Sequence, residues 1–388
     1  MRGRGPHGRS LLFHGVMVLL WVPLLQQHLG VVREQPLRGF IAPAERPCFT
    51  PRAFWVGGFQ QQYEAWQNEQ FGFRNTLVRI HNQIAYSLYG TSVAREVVIG
   101  QEGYLFAQAY VDAVSGRDFV GEAKVRARLE KARRLQDALA QRGITLLLVL
   151  APGKGSFFRE YVPRDRATAV GPTNYAVYAR LMGELGLQHL DLHRWFDEEK
   201  RRSPYPLFPK YGIHWSRYGA QRAADLICKR LSVLRGRTVP GIRLDRIVVV
   251  PRSLDENEYD LRHAMNLLAP LPPTASAYGF SSSETPAHAE RPTLLAVADS
   301  YFWGLMRVGL HRGFRKIDFL YYNKELYPGG QIHAKKSTSE ISYEELIEAQ
   351  DVVLIVCTDA NLSDFGWGFI EGAYEELVAR PQSAGGGS

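Results

Sequence analysis

Short apolar runs alternate with amphipathic segments along most of the chain. Residues 144–150 form a short, unbroken apolar run, which is typical of a strand buried on both faces of a sheet. Further strands are predicted at 293–298 and 351–357. Shorter strands are predicted at 187–192 and 316–322. Apolar residues at helical spacing predict helices at 121–142, 174–185, 216–231, 301–311, 343–349 and 364–377. This alternation predicts an α/β fold of three layers (α/β/α) with a mainly parallel sheet.

Three further segments lie outside this alternation of strands and helices. Residues 74–88 repeat apolar side chains at helical spacing, through Leu77, Ile80, Ile84 and Leu88. Residues 272–291 are rich in Pro, Ser, Thr and Ala, which indicates a mobile surface loop. Residues 381–388 predict a flexible tail. We therefore expect one α/β domain over 54–380, preceded by a separate segment over 1–35.

The N-terminal segment has the pattern of a sequence that directs a protein to a membrane. Arg2, Arg4 and Arg9 precede an apolar run over residues 11–25. Such a run is typical of a cleavable signal peptide or of an uncleaved signal anchor. No small-x-small cleavage site follows it, which favours the anchor. The positive-inside rule then predicts that the rest of the chain lies outside the cytoplasm.

The distribution of charge argues against nucleic-acid binding by the chain beyond residue 52. The 388 residues carry a net charge of +8, but residues 1–52 hold seven Arg and two Glu, and so account for +5 of it. The remainder is nearly neutral, so no basic surface for nucleic acid is expected. Three cysteines are too few for a disulfide scaffold or a Cys-rich zinc module. The apolar fraction of 45% excludes a largely disordered chain.

Ser300 is the first candidate for chemistry. It follows the apolar run 294–298 and Asp299, and it precedes a helical stretch. Ligands bind open α/β sheets at the carboxyl ends of parallel strands, and a helix N-terminus can stabilise an oxyanion. Ser and Asp are also preferred helix caps, so capping alone is the alternative interpretation.

His214 is the second candidate. It lies in a loop just before a helix that Ser216 could cap. A serine hydroxyl becomes nucleophilic when a neighbouring base takes its proton, and neutral imidazole suits that role near pH 7. The alternative is an ordinary polar surface histidine.

Several blocks together resemble a known family. Ala298-Asp299-Ser300-Tyr301 is similar to the Gly-Asp-Ser block of SGNH hydrolases, and Ile213-His214-Trp215-Ser216 is similar to the Asp-x-His-Trp-Ser/Thr block of the SGNH-like polysaccharide O-acetyltransferases of the alginate acetylation group. Further similar blocks lie at 68–74, 98–106, 151–156 with 161–163, 260–261 and 365–370. The resemblance spans roughly residues 54–380.

The resemblance implies a serine acyl-enzyme that moves an acetyl group onto an exported, alginate-like polysaccharide. Ser300 would be the nucleophile and His214 the base, with no metal or cofactor. A membrane-bound O-acyltransferase partner would supply the acetyl group at a bacterial inner membrane, with the globular domain in the periplasm. Aromatic rings can stack on sugars. The residues expected to bind substrate are Tyr301, Trp215, Lys154 and Asp299.

One departure from the family pattern affects the triad. Gly212 stands where the family has the acidic residue, two positions before the histidine. Asp191 is predicted as the substitute acid, and Asp260 is the other candidate considered. An esterase of the same fold and a non-catalytic adaptor in a polysaccharide acetylation or export complex remain alternative functions.

Overall fold

The structure, a computed structural model, describes residues 6–39, 43–281, 288–338 and 341–380. The chain divides into two compact units, one of Met1–Val97 with Leu261–Pro272 and the other of Val98–Asp260 with Pro273–Ser388. The predicted tail 381–388 lies outside the described residues.

Helices occupy the first part of the described chain, and strands and helices alternate from Val97 onward. The strands are β1 (Val97–Ile99), β2 (Leu105–Ala107), β3 (Thr145–Ala151), β4 (His189–Asp191), β5 (Arg246–Val250), β6 (Ser276–Phe280), β7 (Thr293–Ala298), β8 (Lys316–Tyr321), β9 (Glu325–Tyr327), β10 (Lys336–Ser337) and β11 (Val352–Thr358). The α-helices are α1 (Pro6–Leu29), α2 (Pro51–Trp55), α3 (Gly58–Gln70), α4 (Arg74–Tyr89), α5 (Gln108–Ser115), α6 (Glu122–Gln141), α7 (Lys154–Phe157), α8 (Arg164–Ala167), α9 (Asn174–Glu184), α10 (Leu192–Glu199), α11 (Arg217–Arg235), α12 (Asp260–Ala264), α13 (Tyr301–Arg307), α14 (Tyr343–Glu348) and α15 (Phe369–Tyr374).

A mixed sheet forms the centre of the second unit. Within the described residues its order is β10-β9-β8-β7-β11-β3-β4. The strands from β8 to β4 are parallel to their neighbours, whereas β9 and β10 join antiparallel at one edge. β11 lies between β3 and β7 and is buried along its whole length. The prediction of an α/β fold with a mainly parallel sheet is therefore confirmed.

Alternate residues of each central strand face opposite layers of helices. Leu147, Val149, Leu354 and Val356 pack into one apolar cluster with side chains of α10, α11 and α13. Their neighbours in sequence pack into a second cluster with α6, α9 and α15. This two-sided burial explains why these strands are continuous apolar runs. It also sets the carboxyl ends of β7, β8 and β11 side by side at one edge of the sheet.

Two expectations about elements need correction. The predicted loop over 272–291 contains β6, which pairs antiparallel with β5, while 282–287 lie outside the described residues. The predicted helix over 364–377 is broken into a 3-10 turn at Asp359–Asp364, α15, and a π turn at Glu375–Ala379. Gly366 and Gly368 have φ of +80°, which interrupts a regular helix.

The first unit contains a long apolar helix and a helical elbow. In α1, the segment Ser10–Leu29 is long and apolar enough to cross a membrane, and none of it is buried. α3 and α4 meet at the elbow formed by residues 71–73, where Gly72 lies against α1. A Cβ at Gly72 would lie 2.0 Å from the carbonyl oxygen of Pro23, so the close approach requires glycine.

Candidate active site

Ser300 lies directly beyond the carboxyl end of β7. Its backbone is already helical, at φ −62° and ψ −19°, and its side chain makes no capping hydrogen bond to α13. Asp299 accepts the Tyr301 N–H instead, at 3.0 Å. The Ser300 hydroxyl lies 2.9 Å from His214 Nε2. The structure thus favours a hydroxyl paired with a base over the capping interpretation.

The carboxylate of Asp260 lies on the far side of the imidazole. Asp260 Oδ2 is 3.2 Å from His214 Nδ1, while Oδ1 accepts the backbone N–H of Ile213 at 2.9 Å. One carboxylate therefore holds both the ring of His214 and the backbone just before it. The order of groups is hydroxyl, imidazole, carboxylate, which is the arrangement of a Ser-His-Asp triad.

The backbone opposite Gly212 explains why the acid comes from another segment. A Cβ at Gly212 would lie 2.5 Å from the carbonyl oxygen of Asn257 and 2.9 Å from backbone atoms of Glu258. No side chain fits there without moving that backbone. The same segment continues directly to Asp260, so it fills the space beside Gly212 and supplies a carboxylate to the imidazole.

Two buried side chains hold the His214 loop in place. The Tyr301 hydroxyl donates to the Ile213 carbonyl at 2.8 Å. The Lys154 ammonium donates to the carbonyls of Lys210 at 2.7 Å and Gly212 at 2.9 Å. Burial lowers the pKa of Lys154 well below its usual range. Tyr301 follows Ser300 in the chain, so its hydrogen bond links the histidine loop directly to the segment that carries the serine.

The four residues expected to bind substrate are all buried in this structure. Tyr301 and Asp299 have no exposed surface, and Lys154 and Trp215 are 1% and 4% exposed. Trp215 packs edge-on against Tyr301, with ring centroids 5.0 Å apart. Neither ring offers a face to a sugar. The polar atoms of Tyr301, Lys154 and Asp299 bind backbone groups or neighbouring side chains beneath the candidate triad. The indole N–H of Trp215 is buried and has no hydrogen-bond partner among the described residues.

Asp299 joins two strands below Ser300. Its Oδ2 accepts the N–H and the hydroxyl of Thr358, at 2.9 and 2.7 Å, and the side-chain amide of Asn361 at 3.0 Å. Burial raises the pKa of Asp299, and these hydrogen bonds partly oppose the rise. Asp299 thus fixes the end of β7 to the end of β11, which sets the position of Ser300.

Asp191, which was predicted as the triad acid, has other partners in the structure. Its carboxylate accepts the Tyr175 hydroxyl at 3.0 Å and caps α10 through the Arg194 N–H at 2.9 Å. Asp260, the second candidate, is the carboxylate beside His214. Asp191 ends β4 at the edge of the sheet, whereas β7 lies three positions further in.

Tyr322 is a neighbour of Ser300 that the sequence analysis missed. It follows β8, the strand beside β7, and its backbone has an unusual φ of +50° for a bulky residue. Burial, followed by the negative charge of Asp299, raises the pKa of its phenol, while hydrogen bonding from the Ser300 side chain and backbone lowers it in part. The sequence signal that could have found Tyr322 is its position at the carboxyl end of a strand adjacent to β7.

A second buried polar cluster lies at the end of β11. The Ser156 hydroxyl donates to Asp359, and His193 Nε2 lies 3.7 Å from the same carboxylate oxygen. Burial raises the pKa of Asp359 to about 7 and lowers the pKa of His193 to about 4. The Asp359 carboxylate lies between the Ser156 hydroxyl and the His193 imidazole. The order hydroxyl, imidazole, carboxylate of a catalytic triad is therefore not formed in this cluster. Within the described ranges no group of three or more His, Cys, Asp or Glu side chains could hold a metal ion.

Comparison with known proteins identifies the family of this fold and site. The family described as "SGNH hydrolase-like domain, acetyltransferase AlgX" matches residues 97–295. The chain belongs to this family. The match covers about half of the chain and includes His214 and Asp260, but it ends before Ser300.

Curated relatives and a solved structure resemble parts of the chain. The probable alginate O-acetylase AlgJ of Pseudomonas aeruginosa is 24% identical over 188 residues, which is 48% of this chain and 44% of that protein. Its counterpart in Pseudomonas putida is 24% identical over 136 residues, or 35% and 34%. The chain thus spans less than half the length of these relatives. The structure of the O-acetyltransferase domain of Pseudomonas putida AlgJ aligns with a TM-score of 0.45 and 17% identity, covering 72% of this chain and 99% of that one.

The raised pKa of Asp359 makes a prediction about stability. Between pH 4 and pH 7 the folded protein keeps this carboxyl protonated while the unfolded chain releases the proton, so stability falls as pH rises through this range. Asp359→Asn removes this pH-dependent loss of stability, because the amide does not titrate. We expect the variant to gain stability over the wild type with rising pH, by at most about 4 kcal/mol at pH 7.5, as given by a pKa shift from 3.8 to about 7.

Denaturant unfolding of both proteins between pH 4 and pH 8 measures this difference. Asp165→Asn, at an exposed position, serves as the matched control and should show no such trend. A stability difference for Asp359→Asn that does not change with pH would contradict the assignment.

Proposed function

We propose that this protein is a serine-dependent O-acetyltransferase that acts on hydroxyl groups of an exported polysaccharide. The observation that carries the proposal is the continuous contact from Ser300 to His214 to Asp260, in a chain of an acetyltransferase family. Alginate O-acetylases are among the relatives by name, which favours a polysaccharide acceptor.

The first half-reaction acetylates Ser300. His214 Nε2 accepts the hydroxyl proton as Oγ attacks the carbonyl carbon of an acetyl ester. The tetrahedral intermediate then collapses, and the bond to the leaving group breaks as His214 returns the proton to the departing oxygen. Asp260 orients the ring and stabilises its cationic form during both proton transfers. The products are acetyl-Ser300 and the free alcohol.

The second half-reaction moves the acetyl group to the acceptor. A sugar hydroxyl loses its proton to His214 and attacks the acetyl carbonyl of Ser300. Collapse of the intermediate forms the acetylated sugar and restores the Ser300 hydroxyl with the proton from His214. Water in place of the sugar would give hydrolysis, so acceptor binding and exclusion of water separate a transferase from an esterase.

The apolar N-terminal helix suits an enzyme that receives acetyl groups at a membrane. We propose that α1 anchors the chain in a bacterial inner membrane, with the α/β domain on the periplasmic side. The three arginines before the apolar run favour this orientation through the positive-inside rule. A membrane-bound O-acyltransferase would then supply acetyl groups from within the bilayer.

Incubation with an activated acetyl ester tests the proposal. We expect mass spectrometry to find acetyl on Ser300 in the wild type, and turnover that requires an oligosaccharide acceptor. Ser300→Ala should abolish the label because it removes the attacking oxygen. His214→Ala should reduce labelling at least about 10³-fold, because the triad acts as a unit.

The products distinguish the possible functions. Release of acetate into water at the same rate with and without acceptor would identify an esterase. No label on Ser300 under any condition, in a folded protein, would contradict the enzymatic proposal and favour a non-catalytic adaptor.

The Asp260 carboxylate has a separate test with a built-in comparison. Asp260→Asn should lower turnover by up to about 10⁴-fold, the cost of the equivalent change in a model serine protease. Adding Gly212→Asp restores the acid at its usual family position. We expect no rescue in the double variant, because backbone atoms of 257 and 258 occupy the space of a side chain at 212. Rescue would show that the acid can act from position 212 and would contradict this geometry.

The Tyr322 hydroxyl is proposed to donate to the negative oxygen of the tetrahedral intermediate. Tyr322→Phe keeps the ring and removes the donor. We expect kcat to fall about 10²-fold with little change in KM, as for loss of one oxyanion donor. Tyr374→Phe, on α15, whose hydroxyl accepts from Arg134 of α6 at 3.1 Å, is the matched control and should leave kcat unchanged. An unchanged kcat for Tyr322→Phe would remove this role.

A further inference from the structure

The helix α4 exposes its apolar side. Leu77, Ile80, Ile84 and Leu88 fall within one narrow arc of the helix, and their exposed fractions are 46%, 39%, 49% and 71%. An ordinary surface helix buries such a stripe against the core. These four side chains, the α4 stripe, instead form a continuous exposed face.

The polar residues of α4 are the ones that pack against the rest of the first unit. The hydroxyl and N–H of Thr76 donate to Glu34 at 2.6 and 2.7 Å, and Arg79 donates to the carbonyls of Gln35 and Pro36. The buried amide of Asn82 donates to the Met265 carbonyl at 2.8 Å. Arg79 and Asn82 lie on the side of the helix opposite the α4 stripe, and Thr76 lies at its border. These contacts fix the orientation of α4, so the stripe cannot turn inward without breaking them.

The elbow before α4 contacts the candidate membrane helix near its end. Gly72 lies against Pro23 and Gln27, and the Gln27 amide donates to Gln67 of α3 at 3.3 Å. Pro23 and Gln27 precede Leu29, the last residue of the apolar segment, by six and two residues. At 1.5 Å per residue the elbow therefore lies about 3–9 Å inside the end of α1. Interfacial helices bury their apolar face to a depth of about 5–10 Å.

Exposed aromatic side chains provide a second observation in the same unit. Phe49, Phe54 and Trp55 are 62%, 45% and 85% exposed, and Phe49 contacts Phe54 and Phe59. Large aromatic side chains are enriched where a bilayer meets water. In the described part of the second unit, by contrast, exposed large apolar side chains are scattered along the sequence, at Val170, Val233, Val249, Leu254, Phe280 and Ile332. Scattered exposed residues of that kind are ordinary.

We infer that the first unit has a second membrane contact, in which the α4 stripe lies in the lipid interface beside α1. The inference rests on the proposed anchoring by α1. Lipid is the occupant that fits best, because the elbow lies at the depth of the headgroup boundary and the exposed side chains are aliphatic and aromatic. The first unit would then contact the bilayer at two places, through α1 and through the α4 stripe.

Spin-label accessibility in proteoliposomes tests the contact on the full chain. Cys48 is the exposed cysteine of the described residues and is replaced by Ser, while Cys228 and Cys357 are buried and unreactive. Single labelled cysteines are placed at Ile84 and Leu88 for the stripe, at Val18 for α1, and at Glu130 on α6 for water. For each label we measure the ratio of its collisions with oxygen to its collisions with a nickel chelate. We expect this ratio at 84 and 88 to lie closer to the value at 18 than to the value at 130.

Each alternative outcome overturns a distinct claim. Collision ratios at 84 and 88 equal to the value in water at 130, together with a ratio typical of lipid at 18, would overturn the inference and leave the anchor intact. Immobilised labels at 84 and 88 that neither reagent reaches would also overturn it, and would indicate a protein partner or a second copy on the stripe. A water-like label at 18 would overturn the anchor and the inference together. Acetylation of Ser300, measured on the same proteoliposomes, reports separately on the proposed catalysis.

Discussion

The carboxylate of Asp260 holds the geometry on which the candidate site depends. One oxygen accepts the Ile213 N–H and the other contacts the His214 ring, so a single group fixes both the backbone and the side chain. The Tyr301 hydroxyl binds the Ile213 carbonyl from the other side. The loop is therefore clamped at the residue before the histidine by one segment that carries the acid and another that carries the serine. Preorganisation of this kind reduces the rearrangement needed during proton transfer.

The sheet below the site gives this clamp a rigid base. Asp299 ties the ends of β7 and β11 together, and Lys154 satisfies two carbonyls of the histidine loop from within the core. Asp299, next to Ser300 in sequence, and Lys154, distant in sequence, therefore both hold the backbone around the reacting groups. Their polar atoms are already occupied by backbone groups and neighbouring side chains.

Hydrophobic periodicity predicted most of the fold but not what surrounds each helix. The buried strands and the major helices follow from apolar runs and 3.6-residue spacing, because such sequences are stable only when two layers cover a sheet. The same spacing in α4 predicts the helix correctly, yet its apolar face is exposed. Periodicity identifies which side of a helix is apolar, but it does not state what covers that side.

The sequence by itself determined the α/β fold and the apolar N-terminal helix, and it singled out Ser300 and His214 as candidates whose pairing was implied by the family resemblance. These follow from local patterns, because strand burial, helix spacing and short motifs are each contained in a few consecutive residues. Only the tertiary structure decided which carboxylate meets His214, and that Tyr301, Trp215, Lys154 and Asp299 are buried beneath the site. Asp260 lies 46 residues after His214 in the chain, and its approach depends on backbone that fills the space beside Gly212. Contacts of that kind depend on how distant segments pack, which no local pattern encodes.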